Sequence, residues 1–356
     1  MPSLRILYIA YPLLTVTEES AGGAEQVLWT LEREMSRRSV HTTVAASAGS
    51  AVSGELLPTG EACAQLDDFE RRNGEHQEKI IACIRRQDRS FDLIHDMSGS
   101  FWTRAAEVDL PVLATLHLPR SFYPPQSFEN IPANVRFNCV SNSQAASFTD
   151  LDGMLGVVGN GIALDRFEGR REMGAPREGL LWLGRICEEK APHLALEIAV
   201  RSGLPITLAG QVYPFSYHQQ YFEREVAPRL RQTPGAALVN SPSFDQKRKL
   251  LREARALLMT SQAAETSSLV AMEGAASGTP VIAFRRGALP EVVQDQVTGF
   301  LVDDVAGAVA ACHGIASINN EACVAYAREN FNSAKMADAY TQLYARVLST
   351  RSATAA

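Results

Sequence analysis

Two glutamates with a polar turn between them are the first candidates for chemistry in this sequence. Glu265 is followed by Thr-Ser-Ser, and Glu273 lies in an apolar stretch of helical spacing that ends at a Gly-Thr-Pro sequence. Either Ser267 or Ser268 is placed to cap this predicted helix. Unpaired amides at a helix N-terminus favour an anion such as a diphosphate, and the two carboxylates could bind hydroxyls on either side of it. The spacing alone is equally compatible with an exposed glutamate before the helix and a second one on its solvent face.

A second segment supplies the positive charge that a diphosphate needs. Gly184-Arg185 follows an apolar, strand-like run, and Lys190 comes five residues later. A guanidinium offers a planar pair of donors and an ammonium a compact charge, so together they could neutralise a diphosphate leaving group. An arginine and a lysine after a strand are usually solvated surface charges. The glutamate pair, predicted at the same edge of the same domain, favours the functional interpretation.

Histidines end two further predicted strands. His117 ends a strongly apolar strand and is expected to face the ligand-binding edge of its sheet. His95-Asp96 ends another, and both a role on the acceptor or sugar side and a purely structural role are open. The other histidines have no partner at ligand spacing and are interpreted as ordinary: His41, His76, His193, His218 and His313.

Composition narrows the class of protein. A chain of 356 residues, 46% of them hydrophobic, is long enough for two cores. Its net charge of −6 argues against a nucleic-acid partner, and its six scattered cysteines indicate reduced, buried thiols without metal-ligand spacing. The N-terminus has neither a signal-peptide pattern nor a membrane-spanning run, so a cytoplasmic protein is expected. A membrane contact is not excluded, although no basic amphipathic helix stands out.

Short apolar runs alternate with amphipathic helical stretches and must position these residues. The predicted strands are residues 6–10, 42–46, 93–95, 112–117, 137–140, 156–158, 180–183, 206–209, 237–239, 257–260 and 281–284. This alternation predicts an α/β protein with two doubly wound, Rossmann-like domains of parallel sheet facing a central cleft. A polar, glycine-rich stretch sets the predicted boundary, giving domains 1–168 and 169–332, with a C-terminal helix 333–350 packing back on the first.

The motifs together resemble the retaining family 4 glycosyltransferases of GT-B fold. Gly184-Arg185 with Lys190, followed about eighty residues later by Glu-x7-Glu and Gly-Thr-Pro-Val-Ile-Ala, is similar to the family's donor site. Other segments match as well: Ala21-Gly22-Gly23-Ala24-Glu25, Asp92-Leu-Ile-His95, Thr115-Leu-His117 and Asn160-Gly161-Ile162 with Phe167. Asp150-Leu-Asp152 looks like the metal motif of the other glycosyltransferase fold, but the glycine after it indicates a turn, and no metal site is predicted.

The resemblance implies roles at matching positions. Arg185 and Lys190 would neutralise the diphosphate, and Glu265 would hold the donor sugar's hydroxyls. Glu273 would hold the ribose hydroxyls, and His117 would sit beside the reacting sugar. The amides of the helix start would bind the diphosphate and Gly23 would let backbone approach the phosphate from the first domain; the donor-binding set is Gly23, Arg185, Lys190, Glu265, Ser267, Ser268, Leu269, Val270 and Glu273.

Three positions depart from the family's pattern. Glu265-Thr-Ser-Ser replaces Glu-Pro-Phe-Gly, Ala191 follows Lys190 where glycine is usual, and Ala163 stands where aspartate is common. These departures concern the identity of the donor sugar more than the fold.

The resulting hypothesis is a metal-independent, retaining glycosyltransferase that moves a sugar from a nucleoside diphosphate to an acceptor. The acceptor could be a small molecule, a glycan or a lipid-linked compound, and no cofactor is expected because the nucleotide sugar is a substrate. One alternative is a nucleotide-sugar epimerase or hydrolase on the same fold, with His95, Asp96 and His117 as acid and base. The other is a protein that binds a nucleotide sugar without turning it over.

Overall fold

A computed structural model describes residues 4–63, 68–86, 90–167 and 177–354 of the chain. The chain divides into two compact units, which we call the first unit (Met1–Gly161 with Ser333–Ala356) and the second unit (Ile162–Asn332). The division falls at Gly161, earlier than the predicted boundary at residue 168. Residues 168–176, which carry the predicted boundary, lie outside the described residues.

The first unit is an α/β unit built around a parallel sheet. Its elements in chain order are β1 (Arg5–Ile9), α1 (Gly23–Arg37), β2 (His41–Ala46), β3 (Glu55–Pro58), α2 (Phe69–Arg85), β4 (Leu93–Asp96), β5 (Val112–Leu116), β6 (Val135–Cys139), α3 (Asn142–Ala145) and β7 (Met154–Val157). The sheet order is β3-β2-β1-β4-β5-β6-β7, with parallel pairing throughout these strands. Sequence reasoning missed β3, because this short edge strand carries a proline and has no fully buried residue to mark it.

The second unit repeats this architecture. Its elements are β8 (Leu180–Leu183), α4 (Pro192–Ser202), β9 (Ile206–Gly210), α5 (Ser216–Tyr221), α6 (Ala227–Gln232), β10 (Ala236–Asn240), α7 (Phe244–Glu253), β11 (Ala256–Met259), α8 (Leu269–Ala276), β12 (Val281–Phe284), α9 (Leu289–Val292), β13 (Gly299–Val302), α10 (Val305–Gly314) and α11 (Asn320–Asn330). The parallel sheet runs β10-β9-β8-β11-β12-β13. The strand order therefore reverses direction between β8 and β11, which is where doubly wound sheets bind ligands.

The last helix, α12 (Ser333–Thr354), belongs to the first unit. Tyr340 and Tyr344 are buried, and the Tyr344 hydroxyl contacts the Tyr8 hydroxyl at 3.1 Å. Arg38 at the end of α1 pairs with Asp338 at 2.5 Å. These contacts tie the C-terminal helix to the sheet and to the first helix of the unit.

Two predictions about the chain's environment can be compared with the structure. All six cysteines are free and buried, as expected. Within the part of the chain that the structure describes, no helix has both the length and the apolar character needed to cross a membrane.

Candidate functional site

The carboxyl ends of β8, β9, β11 and β12 lie along one edge of the second unit's sheet, because the four strands are parallel neighbours. The β8–β9 ladder continues beyond the strands, with the Ile186 amide donating to the Gln211 carbonyl at 2.9 Å. Gly210 makes this approach possible, since a Cβ there would lie 1.8 Å from the Gly184 carbonyl oxygen. The segments that follow β8 and β9 are thus held side by side.

The turn after β8 holds the two predicted diphosphate cations. Arg185 is exposed, and its guanidinium carbon lies 5.8 Å from the centre of the Tyr213 ring. The Thr260 hydroxyl fixes the end of the turn by contacting the carbonyl oxygens of Lys190 (3.1 Å) and Ala191 (2.9 Å). Ala191 adopts a left-handed conformation with φ of 49°, which explains why the family usually has glycine at this position.

Lys190 and Glu265 form an ion pair that joins the turn after β8 to the loop after β11. Lys190 Nζ lies 2.5 Å from Glu265 Oε1, and only 8% of the Glu265 side chain is exposed. The backbone of Glu265 is held from the other side, because its carbonyl accepts from the Ala288 amide at 2.7 Å. A Cβ on Gly287 would lie 2.3 Å from that carbonyl oxygen, and φ of Gly287 is +52°. Gly287, which sequence reasoning missed, is therefore required for the observed position of Glu265.

The start of α8 provides the predicted anion-binding amides. Ser268 is the N-cap, with its hydroxyl accepting from the Ala271 amide at 3.4 Å. Leu269 and Val270 are the first two helical residues, whose amides cannot be paired within the helix. The Ser267 hydroxyl oxygen is buried and has no hydrogen-bond partner among the described residues. Both serines of the Thr-Ser-Ser sequence thus lie at the helix terminus, one as its cap and one with unused hydrogen-bonding capacity.

Glu273 is buried, so the interpretation that placed it on the solvent face of the helix is wrong. Its Oε1 lies 2.7 Å from Lys247 Nζ, with 2% of the glutamate and 12% of the lysine side chain exposed. Its other oxygen, Oε2, has no hydrogen-bond partner within the described ranges. Sequence reasoning missed Lys247. Ser243 and Gln246 form a capping box that indicates the start of α7, but nothing in the sequence shows that a lysine one turn later would be buried.

The first unit places Gly23 and His117 at two element ends. Gly23 is the first residue of α1, with Gly22 as the N-cap. His117 is half-buried directly after β5, and burial lowers the pKa of its imidazole to about 4. The imidazole is therefore neutral at physiological pH. Glu25, in the first turn of α1, is buried as well, and burial raises its pKa to about 7.

His95 and Asp96 lie in the interior of the first unit, which favours a structural role over a place on the acceptor or sugar side. Both are 0% exposed. The His95 ring nitrogens contact the Tyr344 hydroxyl at 2.8 Å and the Thr115 hydroxyl at 2.7 Å. The Asp96 carboxylate accepts from the amides of Ser98 and Trp102, each at 2.8 Å. These contacts engage both side chains inside the first unit.

Two other expectations concern metal ligands. Asp150 lies in a turn, as predicted, and its carboxylate pairs with Arg120. His218 has no partner at ligand spacing in the sequence and is interpreted as ordinary on that basis, but the structure places it close to Cys187 and Glu189. Sequence spacing could not show this, since His218 is separated from the other two by a helix and a strand and joins them only through the parallel pairing of β8 and β9.

Comparisons with known proteins agree with this geometry. Residues 177–317, most of the second unit, match the family model described as Glycosyl transferases group 1. The D-inositol 3-phosphate glycosyltransferase of Thermobifida fusca (strain YX) is 32% identical over 151 residues, which are 39% of this chain and 34% of that protein. The chain thus spans about a third of the length of the curated relatives it matches.

Solved structures show the fold. Sucrose-phosphate synthase from Thermosynechococcus elongatus has a TM-score of 0.80 at 17% identity, covering 98% of this chain and 100% of that one. HepE from Anabaena, in complex with UDP-glucose, has a TM-score of 0.72 at 15% identity, covering 98% and 100%. The predicted α/β fold of GT-B type is confirmed, and so is the resemblance to GT-B glycosyltransferases of the family 4 type. Residues 177–317 are thus similar to a glycosyltransferase group 1 domain.

Proposed function

We propose that this protein is a retaining family 4 glycosyltransferase, which moves a sugar from a nucleoside diphosphate to an acceptor hydroxyl without a metal ion in the reaction. The observation that carries the proposal is the Lys190–Glu265 ion pair beside the N-terminus of α8. It puts a cation, a carboxylate and unpaired amides at the strand-order reversal of one sheet. A nucleotide sugar has the complementary groups: its diphosphate suits the cation and the amides, and the neighbouring sugar hydroxyls suit the carboxylate.

The charges divide between binding the donor and stabilising the leaving group. Negative charge grows on the diphosphate as the sugar–oxygen bond breaks, so Arg185, Lys190 and the amides of Leu269 and Val270 act chiefly in the transition state. Because these groups carry the compensating charge, the proposed reaction needs no metal. The carboxylate of Glu265 would accept hydrogen bonds from the sugar hydroxyls while remaining paired with Lys190.

Glu273 is proposed to bind the ribose. Its Oε2 has no hydrogen-bond partner among the residues described, although it is buried. A carboxylate oxygen can accept two hydrogen bonds, and a ribose offers two adjacent hydroxyls. Lys247 orients the carboxylate through the other oxygen.

Gly23 and His117 keep the roles that the resemblance implies. The neutral imidazole of His117 could donate or accept one hydrogen bond beside the reacting sugar. In a retaining reaction of this type the acceptor attacks from the side on which the leaving group departs, and the departing phosphate takes up the acceptor's proton. Positioning and charge stabilisation then account for catalysis.

One structural observation weakens the alternative of an epimerase or hydrolase. That function would need an acid and a base at the sugar, and His95 and Asp96 were two of its candidates. Both are fully buried and hydrogen-bonded within the first unit. The transferase proposal does not use either residue.

The test is to incubate the protein with a panel of nucleotide sugars, with and without candidate acceptors, and to measure the release of nucleoside diphosphate. We expect release that requires an acceptor, and a product with the anomeric configuration of the donor sugar. Release without acceptor would indicate hydrolysis, and tight donor binding without release would indicate a binding protein. An inverted product would refute the retaining mechanism while leaving transfer intact.

A further inference from the structure

Cys187, Glu189 and His218 form a cluster beside the residues assigned to the donor. One ligand atom of each (the thiol sulfur, a carboxylate oxygen and a ring nitrogen) lies within 4.8 Å of the other two. Cys187 and Glu189 lie on the turn after β8, and His218 lies in α5, after β9. The neighbouring pairing of β8 and β9 brings these segments together, although about thirty positions separate them in the sequence.

His218 gives a second, independent indication of a ligand. The residue is 0% exposed, and neither ring nitrogen has a hydrogen-bond partner within the described part of the chain. Its ring is surrounded by Tyr217, Phe215 and Tyr213, with centroids at 4.2, 5.2 and 6.1 Å. A buried polar group without a partner destabilises the folded state, so a bound ion on one nitrogen would offset that cost. Oε2 of Glu189 is likewise buried without a hydrogen-bond partner among the described residues.

We propose that Cys187, Glu189 and His218 bind one zinc ion. A set of one sulfur, one nitrogen and one oxygen donor suits Zn²⁺, which forms four-coordinate sites with these ligands. Donor atoms around tetrahedral zinc, at about 2.0–2.3 Å from the metal, are roughly 3.3–3.8 Å apart. The observed separations of up to 4.8 Å therefore need to shrink by about 1 Å, within reach of side-chain rotation.

Charge balance also fits this ion. The Cys187 thiol would lose its proton to solvent on binding, and the thiolate and carboxylate together carry two negative charges against the two positive charges of zinc. In the structure the Cys187 sulfur contacts the Arg185 carbonyl oxygen at 3.5 Å, and this contact would be exchanged for the ion. Three protein ligands leave the fourth position for water.

The ion would connect the turn that carries Arg185 to α5. It is assigned no part in the transfer reaction, so the proposal does not rest on the proposed function. Zinc-free protein would keep the donor-binding residues but hold their turn less firmly.

The test is metal binding to the full chain, reduced and freed of metal with a chelator. Cobalt(II) serves as the spectroscopic probe, because a thiolate ligand gives a charge-transfer band in the near ultraviolet and a tetrahedral site gives strong visible bands. We expect one Co²⁺ per chain with both features, displaced by Zn²⁺. Cys187→Ser should abolish the charge-transfer band, whereas Cys312→Ser, which alters another buried cysteine of the second unit, should leave it unchanged.

Two further variants test the other two ligands and can be used if Cys187→Ser does not fold. His218→Phe preserves an aromatic ring among the neighbouring rings but removes both nitrogens, and Glu189→Gln keeps the shape of a half-buried side chain. Each should weaken Zn²⁺ binding in a competition titration by about 10-fold to 100-fold or more. Losses of about 10-fold to 100-fold are seen even when the lost residue only contacts a metal ligand. Wild-type protein without a thiolate band, or folded variants that bind Zn²⁺ as tightly as wild type, would overturn the proposal.

Discussion

The buried ion pair of Lys247 and Glu273 predicts a change in the free energy of unfolding that can be measured without knowing the substrate. Lys247→Met keeps the length of the side chain but removes its charge, which leaves the Glu273 carboxylate buried with 2% of its side chain exposed. Removing one partner of a buried ion pair costs about 3–5 kcal/mol. Because 12% of the lysine side chain reaches solvent, we expect the lower end of that range, about 3 kcal/mol.

A double-mutant cycle separates the pair from the general effect of each substitution. Glu273→Gln alone should cost about 1 kcal/mol, since Lys247 can still reach solvent and an amide oxygen remains. The double variant should cost about 1–2 kcal/mol, so that the sum of the single effects exceeds it by roughly 2–3 kcal/mol. Lys249→Met is the matched control, because this lysine of the same helix is 68% exposed and 4.0 Å from Glu253. It should change stability by less than about 0.5 kcal/mol.

The assay is urea unfolding, monitored by hydrogen exchange and mass spectrometry. Peptides from β8 and β11 report on the second unit alone. This choice avoids treating a chain of two units as a single two-state transition. Strictly additive effects, or a Lys247→Met variant no less stable than Lys249→Met, would refute the inference that the pair is buried and coupled.

Three further predictions concern the first turn of α1 and the donor site. Arg185→Ala should lower kcat by roughly 100-fold while donor affinity changes by less than about 10-fold, since the diphosphate charge grows in the transition state; equal losses in stopped-flow binding and turnover assays would contradict this. Gly287→Ala places a Cβ 2.3 Å from the Glu265 carbonyl oxygen and should reduce kcat by roughly 100-fold through displacement of Glu265. Gly203→Ala is its control, because that glycine also has positive φ but no atom within 4 Å of the added Cβ, and an equal loss of activity there would assign the effect to backbone strain. Glu25 has its pKa raised by burial from 4.5 to about 7, so the unfolded chain releases this proton first and stability falls between pH 4.5 and 7. In wild type the unfolding free energy, measured by calorimetry, should therefore fall between pH 4 and pH 8, and in Glu25→Gln this fall should be smaller by up to about 3 kcal/mol. The same pH profile in both proteins would contradict the prediction.

The sequence was sufficient for the fold because the information is local and repeated. Each buried strand of the second unit is a short apolar run followed by a helix, and parallel order follows from that alternation. Both ends of α8 could be predicted, from the capping serine and from the Gly-Thr-Pro sequence, because a helix cap depends on residues within one helical turn. Short edge strands such as β3 lack this signal.

Residues that depend on packing between distant segments could not be predicted. Lys247 meets Glu273 across two helices, and only the packing of α7 determines that this lysine is buried. Gly287 is required because the Glu265 backbone passes directly over it, a contact between loops after neighbouring strands. His218 looked isolated because sequence spacing does not measure distance across a parallel sheet. Conversely, His95 and Asp96 looked reactive because strand ends are common places for catalytic residues, and their buried hydrogen-bond partners lie far away in the sequence.

The central claim is that the turn after β8 and the start of α8 form a diphosphate site. Calorimetric titration of UDP, ADP and GDP, with the corresponding nucleoside monophosphates as controls, tests it most directly in wild type and Lys190→Met. We predict that at least one diphosphate binds more tightly than its monophosphate, and that Lys190→Met removes most of this difference. A wild-type protein that binds none of these nucleotides, or a preference for the diphosphate that survives Lys190→Met unchanged, would contradict the account.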